Sequence, residues 1–436
     1  MKKKKLILVS FDALSCTDLE YVKTLPHFSR IMKEGAYCTH VHSVYPSLTF
    51  PSHASIATGC RPSSHGIVNN YVLEPFARIH KWNFYASSLK RRAIWDYAAE
   101  NGKRVMNMSW PVSAGGKMAY SMPEMSPVKP KVWNIDSFVS QMKVLCKYGT
   151  PRFAMRTLLS DRELPKAWFL GKQPNLDMSM MDRFLDALNR YDFDIAMLHI
   201  YGLDDAKHTY GIYSRKCQYY LKEYDRFVGQ LMDYARQCSD QAVTLLFTGD
   251  HSQKQVSYAI HGNIVLERLG YCTYENKRLT GYKAYLDSGD GMAYIYIKGG
   301  DKEQVTARIK EAFAANRGIS RVMEKKDFEN LGCDKEADLV LEAKDGYYFE
   351  SGYEEAADEE GIVNSHYQGV HGYLPDGADY QTMMFAWGED VAPVQVETMG
   401  IIDILPSVCH LLDMKIDPVD GTARTQMWKK RTGGDS

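Results

Sequence analysis

Short apolar runs recur along this chain and set the strongest limit on its fold. They occupy residues 5–11, 105–110, 193–201, 242–248 and 382–387. The run at 242–248, Ala-Val-Thr-Leu-Leu-Phe-Thr, is the clearest. Runs without in–out alternation suit strands buried on both faces of a parallel sheet. Stretches with helical spacing lie between them. Residues 25–34 place Leu25, Phe28, Ile31 and Met32 on one face, and residues 219–236 do the same with Leu221, Tyr224, Phe227, Val228 and Leu231. Strands alternating with helices predict a doubly wound α/β fold, a central and mostly parallel sheet with helices on both faces. No internal repeat is evident.

The chain has 436 residues, which allows one large α/β domain carrying insertions. The expectation is a single catalytic domain over 1–436. Residues 115–190, irregular and holding Pro, Met and Trp, predict a helical cap. Residues 272–350 predict a small α+β insertion. Its parts are a strand at 293–297, a helix over Lys302–Ala315 and a strand at 338–342, in a βαβ-like order, with a turn at 287–291.

The formal net charge of −1 gives no basic excess to hold a nucleic-acid duplex. Lys2 to Lys5 form the only dense basic run, read as a solvated N-terminus. The apolar stretch after it meets Asp12 too soon for a signal peptide. No segment approaches the length of a membrane span. The nine cysteines are scattered without a CxxC pair, which reads as reduced thiols in a cytoplasmic protein.

In open α/β sheets, functional groups gather at the carboxyl ends of strands. Here three strands run into acidic residues: Asp12, then Asp204 with His208, then Asp250 with His251. Singly, each is an N-cap or a surface His. Together they read as a metal site, because carboxylate oxygen and imidazole nitrogen both suit zinc. Asp204 and His208, four apart on one helical turn, can face one ion. Asp250 and His251 point apart unless their loop turns sharply. His371, followed by Gly372 on a loop, is a further candidate ligand. Pro51 suits the first position of a helix over 52–58, with Thr49 or Phe50 as its N-cap. Free amides at that end would favour a phosphate, and a metal would activate the Thr49 hydroxyl.

Several motifs carry a resemblance together. They are Ser-Phe-Asp12, Pro-Ser-Leu-Thr49-Phe-Pro-Ser-His, Ser64-His65-Gly66-Ile67-Val68-Asn69-Asn70, Asp204 with His208, Asp250-His251, and His371-Gly-Tyr. In this order, and with the late helix at 401–407, the chain resembles the nucleotide pyrophosphatase/phosphodiesterase family of the alkaline phosphatase superfamily. The resemblance implies an alkaline-phosphatase-like fold and two zinc ions, with manganese as the alternative metal. Asp12, Thr49, Asp250 and His251 would hold one ion, and Asp204, His208 and His371 the other. Thr49 would be the nucleophile, Asn70 a donor to a phosphate oxygen, and Phe50 a flank for the transferred or leaving group. The partner would be a small-molecule phosphate ester, with a diester preferred.

This sequence departs from the family at three places. Lys207 stands where the family has Gly, Ser252 follows His251 where Gly is usual, and His199 stands where the family has an aromatic. Lys207 could bring a positive charge to the site and favour monoesters. The competing readings are a metal-dependent phosphomonoesterase, a phosphomutase and a non-catalytic binding protein. A sulfatase would need Cys or Ser before x-Pro-x-Arg, and the chain has Thr-Phe-Pro-Ser-His.

Overall fold

The computed structural model describes residues 2–124, 135–160, 167 and 172–430. Its main element is a nine-stranded sheet. The strands used below are β1 (Lys3–Phe11), β2 (Ala36–His42), β3 (Val105–Met108), β4 (Tyr120–Met122), β5 (Ile195–Ile200) and β6 (Gln241–Thr248). From one edge the order is Val394–Gln395, β2, Thr382–Gly388, β6, β1, β5, β3, β4, with Met399–Gly400 also on β2. All pairings are parallel except those of Thr382–Gly388, which runs antiparallel to both β2 and β6. The fifth apolar run is thus the one reversed strand.

β1 shows why its middle residues, 6–9, form an unbroken apolar run. Ile7, Val9 and Phe11 face one core with Phe28, Tyr224 and Phe227. Leu6 and Leu8 face another with Ile404, Leu405 and Val408. Phe11 stacks on Tyr224 at 4.6 Å and on Phe247 at 5.8 Å. A fully buried side chain of this size contributes about 1.5–3 kcal/mol, so a polar residue on either face of β1 would be costly.

The helices start and end a few residues from the sequence expectation. Residues 25–34 form the helix Pro26–Glu34, with Leu25 as N-cap. Residues 219–236 lie in the longer helix Arg215–Gln237, opened by Ser214, whose hydroxyl accepts from Cys217 N. β3 ends at Met108, because Ser109 takes a positive φ of 60° and turns the chain. Residues 401–407 divide into a 3-10 turn, Ile401–Asp403, and the helix Ile404–Leu411.

Within 115–190, β4 adds a strand to the sheet edge, and helix Asn175–Arg190 buries Leu176, Met180, Met181, Phe184 and Leu188 in the core that receives Ile7 and Val9. Residues 125–134, 161–166 and 168–171 of that segment lie outside the described residues.

The 272–350 segment holds a four-stranded sheet, ordered Ala284–Gly289, Met292–Ile297, Leu339–Ala343, Ile319–Glu324. Its pairings are all antiparallel, so the βαβ-like order expected from the sequence is corrected. Two strands of this sheet were missed, Ala284–Gly289 and Ile319–Glu324, and the second separates helix Lys302–Ala315 from Leu339–Ala343. The expected turn at 287–291 shrinks to Asp290 and Gly291, with Asp287 inside a strand. A further sheet is built on Lys254–His261, flanked by Gly346–Glu350 and Ile362–Asn364, with Gly369–Val370 also paired to it. Among the described residues, no helix is long and apolar enough to cross a membrane.

Candidate active site

β5, β1 and β6 are neighbours in the sheet, so their carboxyl ends lie side by side. β1 delivers Asp12. β5 runs through Tyr201 into helix Gly202–Tyr210, which carries Asp204 and His208 in successive turns. β6 delivers Asp250 and His251. His371 arrives differently: Val370 pairs with Lys254, three residues after His251. That short ladder brings a residue remote in sequence beside the β6 end.

The structure gathers all seven residues. One ligand atom each from Asp12, Asp250 and His251 lie within 4.8 Å of one another, and Asp204, His251 and His371 do the same. His251 belongs to both groups. Its Nε2 is 3.3 Å from Asp12 Oδ1, 3.2 Å from Asp250 Oδ2 and 3.2 Å from Thr49 Oγ1. Asp250 and His251 therefore converge, and the loop does turn sharply. His208 Nε2 lies 3.3 Å from Asp204 Oδ2, and the His251 and His371 rings are 4.2 Å apart.

Thr49 sits on a helix that begins earlier than the sequence suggests. The helix is Thr49–Thr58 and its N-cap is Leu48, at φ −115° and ψ 153°. Thr49 is its first residue and Pro51 its third, so neither Thr49 nor Phe50 is the N-cap. Ser52 N donates to Leu48 O at 2.9 Å, which closes the first turn. The approach is pinned by Ser43 Oγ donating to Asp250 O at 2.6 Å and Ser47 Oγ donating to Tyr373 O at 2.7 Å.

The donor set fits a cation. Asp12 Oδ1, Asp250 Oδ2, His251 Nδ1 and His371 Nδ1 are buried without a hydrogen-bond partner among the described residues. Buried carboxylate oxygens without partners are costly unless a positive charge faces them. Burial, reinforced by the neighbouring carboxylates, pushes Asp12 and Asp250 well above the usual range. Burial also pushes His251 and His371 down, which favours the neutral imidazole that a metal requires. Burial would lower His208 as well, yet the Asp204 carboxylate overrides it and lifts His208 to about 9.

Around these groups stand residues that hold them. His199 Nε2 lies 3.0 Å from Asp12 Oδ2 and its Nδ1 3.2 Å from Ser109 O. His199 is 2% exposed, so its ring offers no open face and instead orients Asp12. Gln253 Nε2 donates to Asp204 Oδ1 at 2.6 Å. Ala13 N donates to Asp250 Oδ1 at 3.0 Å. His53 Nδ1 lies 2.8 Å from Thr49 O and its Nε2 2.9 Å from Ser10 Oγ. His371 Nδ1 is 3.4 Å from Asp290 Oδ2. Sequence reasoning gave His53, Gln253 and Asp290 no role in the site. His53 was the one within reach, four residues after Thr49 on the same helix.

Lys207 is not in the site. Its Nζ donates to Ala13 O and to Asp18 Oδ2, each at 2.7 Å, with Ser15 Oγ at 3.1 Å and Thr17 Oγ1 at 3.3 Å. Asn70 is placed beside the start of helix Thr49–Thr58, its Oδ1 accepting from Phe50 N at 2.9 Å. Its own N–H donates to Asn69 Oδ1, and Asn69 Nδ2 is anchored on Asp287 Oδ2 at 2.8 Å. Phe50 is buried with Ala54, Ile67 and Val112, and Trp82 stacks on it at 5.0 Å.

The central sheet with its flanking helices has an alkaline-phosphatase-like fold. The chain belongs to the type I phosphodiesterase / nucleotide pyrophosphatase family, which it matches over residues 6–374. It is 27% identical over 250 residues to human ectonucleotide pyrophosphatase/phosphodiesterase family member 1, covering 55% of this chain and 22% of that protein. It thus spans less than a quarter of that relative's length. Mouse family member 7 is 22% identical over 429 residues, covering 96% of this chain and 86% of that protein. Among solved structures, an inactive Thr→Ala form of murine ectonucleotide pyrophosphatase / phosphodiesterase 5, in complex with AMP, superposes with a TM-score of 0.66 at 21% identity. It covers 98% of this chain and 100% of the murine one.

Proposed function

We propose that this chain is a two-zinc hydrolase of phosphodiester or pyrophosphate bonds that works through a phospho-threonine intermediate on Thr49. One observation carries the reading: Thr49 Oγ1 lies 3.2 Å from His251 Nε2, beside the unpartnered carboxylate oxygens of Asp12 and Asp250. Ions held by Asp12, Thr49, Asp250 and His251, and by Asp204, His208 and His371, would lower the hydroxyl pKa and offset charge on the phosphoryl group.

The protein's own groups do the rest. Thr49 Oγ attacks phosphorus and gives its proton to solvent. The bond from phosphorus to the leaving oxygen breaks, and that oxygen takes a proton from water. Water then attacks the same phosphorus, the bond to Thr49 Oγ breaks, and the hydroxyl is restored. Asn70, its carbonyl end engaged by Phe50 N, turns its amide nitrogen to a non-bridging oxygen. The N-terminus of helix Thr49–Thr58 adds a favourable field for the same charge.

A diester is the substrate this arrangement suits. A monoester brings one more negative charge and calls for an additional cation near the non-bridging oxygens. Asn70 is neutral, and the Lys207 ammonium is engaged by Ala13, Ser15, Thr17 and Asp18. The family name and the AMP-bound neighbour support a nucleotide-bearing ester.

Hydrolysis of matched nitrophenyl mono- and diesters by zinc-loaded wild type and Thr49→Ala tests the reading. The diester should give the higher kcat/KM, and Thr49→Ala should fold normally with turnover reduced by about a thousandfold or more. A variant that keeps a tenth of the wild-type rate, by rough scale, would remove Thr49 from the nucleophile's role. Sugar-phosphate isomerisation with manganese would instead favour a phosphomutase.

A further inference from the structure

Lys207 lies between Asp204 and His208 on helix Gly202–Tyr210, and its side chain is fully buried. A buried ammonium is costly unless every donor finds an acceptor. Lys207 has three donors, and four oxygens lie within reach. Asp18 Oδ2 supplies the opposite charge at 2.7 Å. The others are Ser15 Oγ, Thr17 Oγ1 and the carbonyl of Ala13.

The Ala13 contact gives this arrangement its meaning. Ala13 directly follows Asp12 and takes a φ of 60°, a left-handed conformation uncommon for a residue with a Cβ. In that conformation its N–H donates to Asp250 Oδ1 at 3.0 Å. The same residue therefore offers its N–H to one acidic cluster and its carbonyl to the helix that bears the other. Asp18 Oδ2 also accepts from Ser15 N at 3.0 Å, which closes the turn.

We propose that Lys207 is a positioning residue that fixes the spacing between the Asp12/Asp250 and Asp204/His208 groups by clamping the Ala13–Asp18 turn to the helix carrying Asp204. The inference rests on the two-metal reading above. In a two-ion site the attacking and leaving oxygens are held by separate ions, so the spacing between the ion sites bears on turnover more than on substrate binding.

The test is the double variant Lys207→Met/Asp18→Asn in the full chain. It removes both charges together and keeps an acceptor for Ser15 N. It takes the donor from all four oxygens; Ser15 Oγ and Thr17 Oγ1, 2.9 Å apart, keep each other, and the Ala13 carbonyl is left without its donor. Zinc affinity is measured by chelator competition, kcat and KM with a nitrophenyl phosphodiester, and folding by thermal melting. The double variant should fold, bind its weaker zinc about tenfold less tightly or worse, and lose kcat by a similar factor with KM nearly unchanged. A double variant that folds with zinc affinity and kcat close to wild type overturns the proposal. So does one that fails to fold, since the lysine would then serve only the fold. Wild-type protein that holds fewer than two zinc ions overturns the two-metal reading itself, and this inference with it.

Discussion

Asp12 shows how much of this site depends on side chains that never meet substrate. One carboxylate oxygen faces His199 at 3.0 Å and the other faces His251 at 3.3 Å. A carboxylate left free to rotate would lose the direction that a metal requires, and outer hydrogen bonds of this kind typically matter by about 10–100-fold in metal affinity. His199→Leu should therefore weaken zinc binding by about that factor, while His199→Gln, which can keep an N–H near the Nε2 position, should recover most of it. Chelator competition distinguishes the two. Equal affinity in both variants would reduce His199 to a space-filling role.

At this scale the sequence was uneven. Asp204 and His208 were readable as a pair because helical spacing fixes their separation. Asp12, Asp250 and His251 could be picked out as candidates because they follow strands, and Thr49 and His371 because of the Pro and Gly beside them. Lys207 was misread as a possible site charge, because nothing local shows that four oxygens from residues 13–18 await its ammonium. Gln253 and Asp290 carry no sequence signal, since their partners lie far away in the chain.

Among the elements, the loop that carries His371 is tightly constrained. Gly372 has φ +93°, and a Cβ there would lie 2.0 Å from the carbonyl oxygen of Gly289. Its N–H donates to Ser47 O at 3.0 Å, on the segment leading to Thr49. Gly372→Ala thus combines an unfavourable φ with a backbone clash. It should cost roughly 2 kcal/mol or more and displace His371, so that zinc stoichiometry falls along with the melting temperature. Unchanged stoichiometry and stability would show that the loop yields. The secondary structure itself was legible wherever the apolar pattern was continuous. β2, Ala-Tyr-Cys-Thr-His-Val-His, was overlooked although its outer residues do alternate. The antiparallel arrangement around Met292–Ile297 was not legible, because pairing direction depends on partners and not on the strand's own residues.

For the molecule as a whole, the small four-stranded sheet brings a pH dependence with it. Glu342 lies on Leu339–Ala343, accepting from Tyr45 OH at 2.6 Å and from Leu374 N at 2.8 Å. Burial raises its pKa from 4.5 to about 7, against the lowering effect of Tyr45. Between those values the folded chain binds more protons at this position than the unfolded chain. The contribution to stability is complete below about 4.5 and is lost as pH rises through about 7. Glu342→Gln carries no such titration. Relative to wild type, it should gain on the order of 2 kcal/mol in stability between about pH 5 and 8. Urea unfolding of both proteins at the two pH values provides the comparison. A difference that does not change with pH would place the Glu342 pKa near its ordinary value.

β1 pairs on one side with β5 and on the other with β6, and Ala13 reaches Asp250 across 237 positions of sequence. During synthesis this strand, buried from 5 to 11, emerges before both of its neighbours and waits for them. Until residues 195–200 and then 241–248 leave the ribosome, its backbone and two apolar faces have no native partner. A nascent chain in that state is an aggregation hazard, and the burden of protecting it falls on chaperones. The candidate site is completed later still, since His371 follows all of its other residues in the sequence. A chain halted before that point would carry most of the fold's mass and an unfinished site.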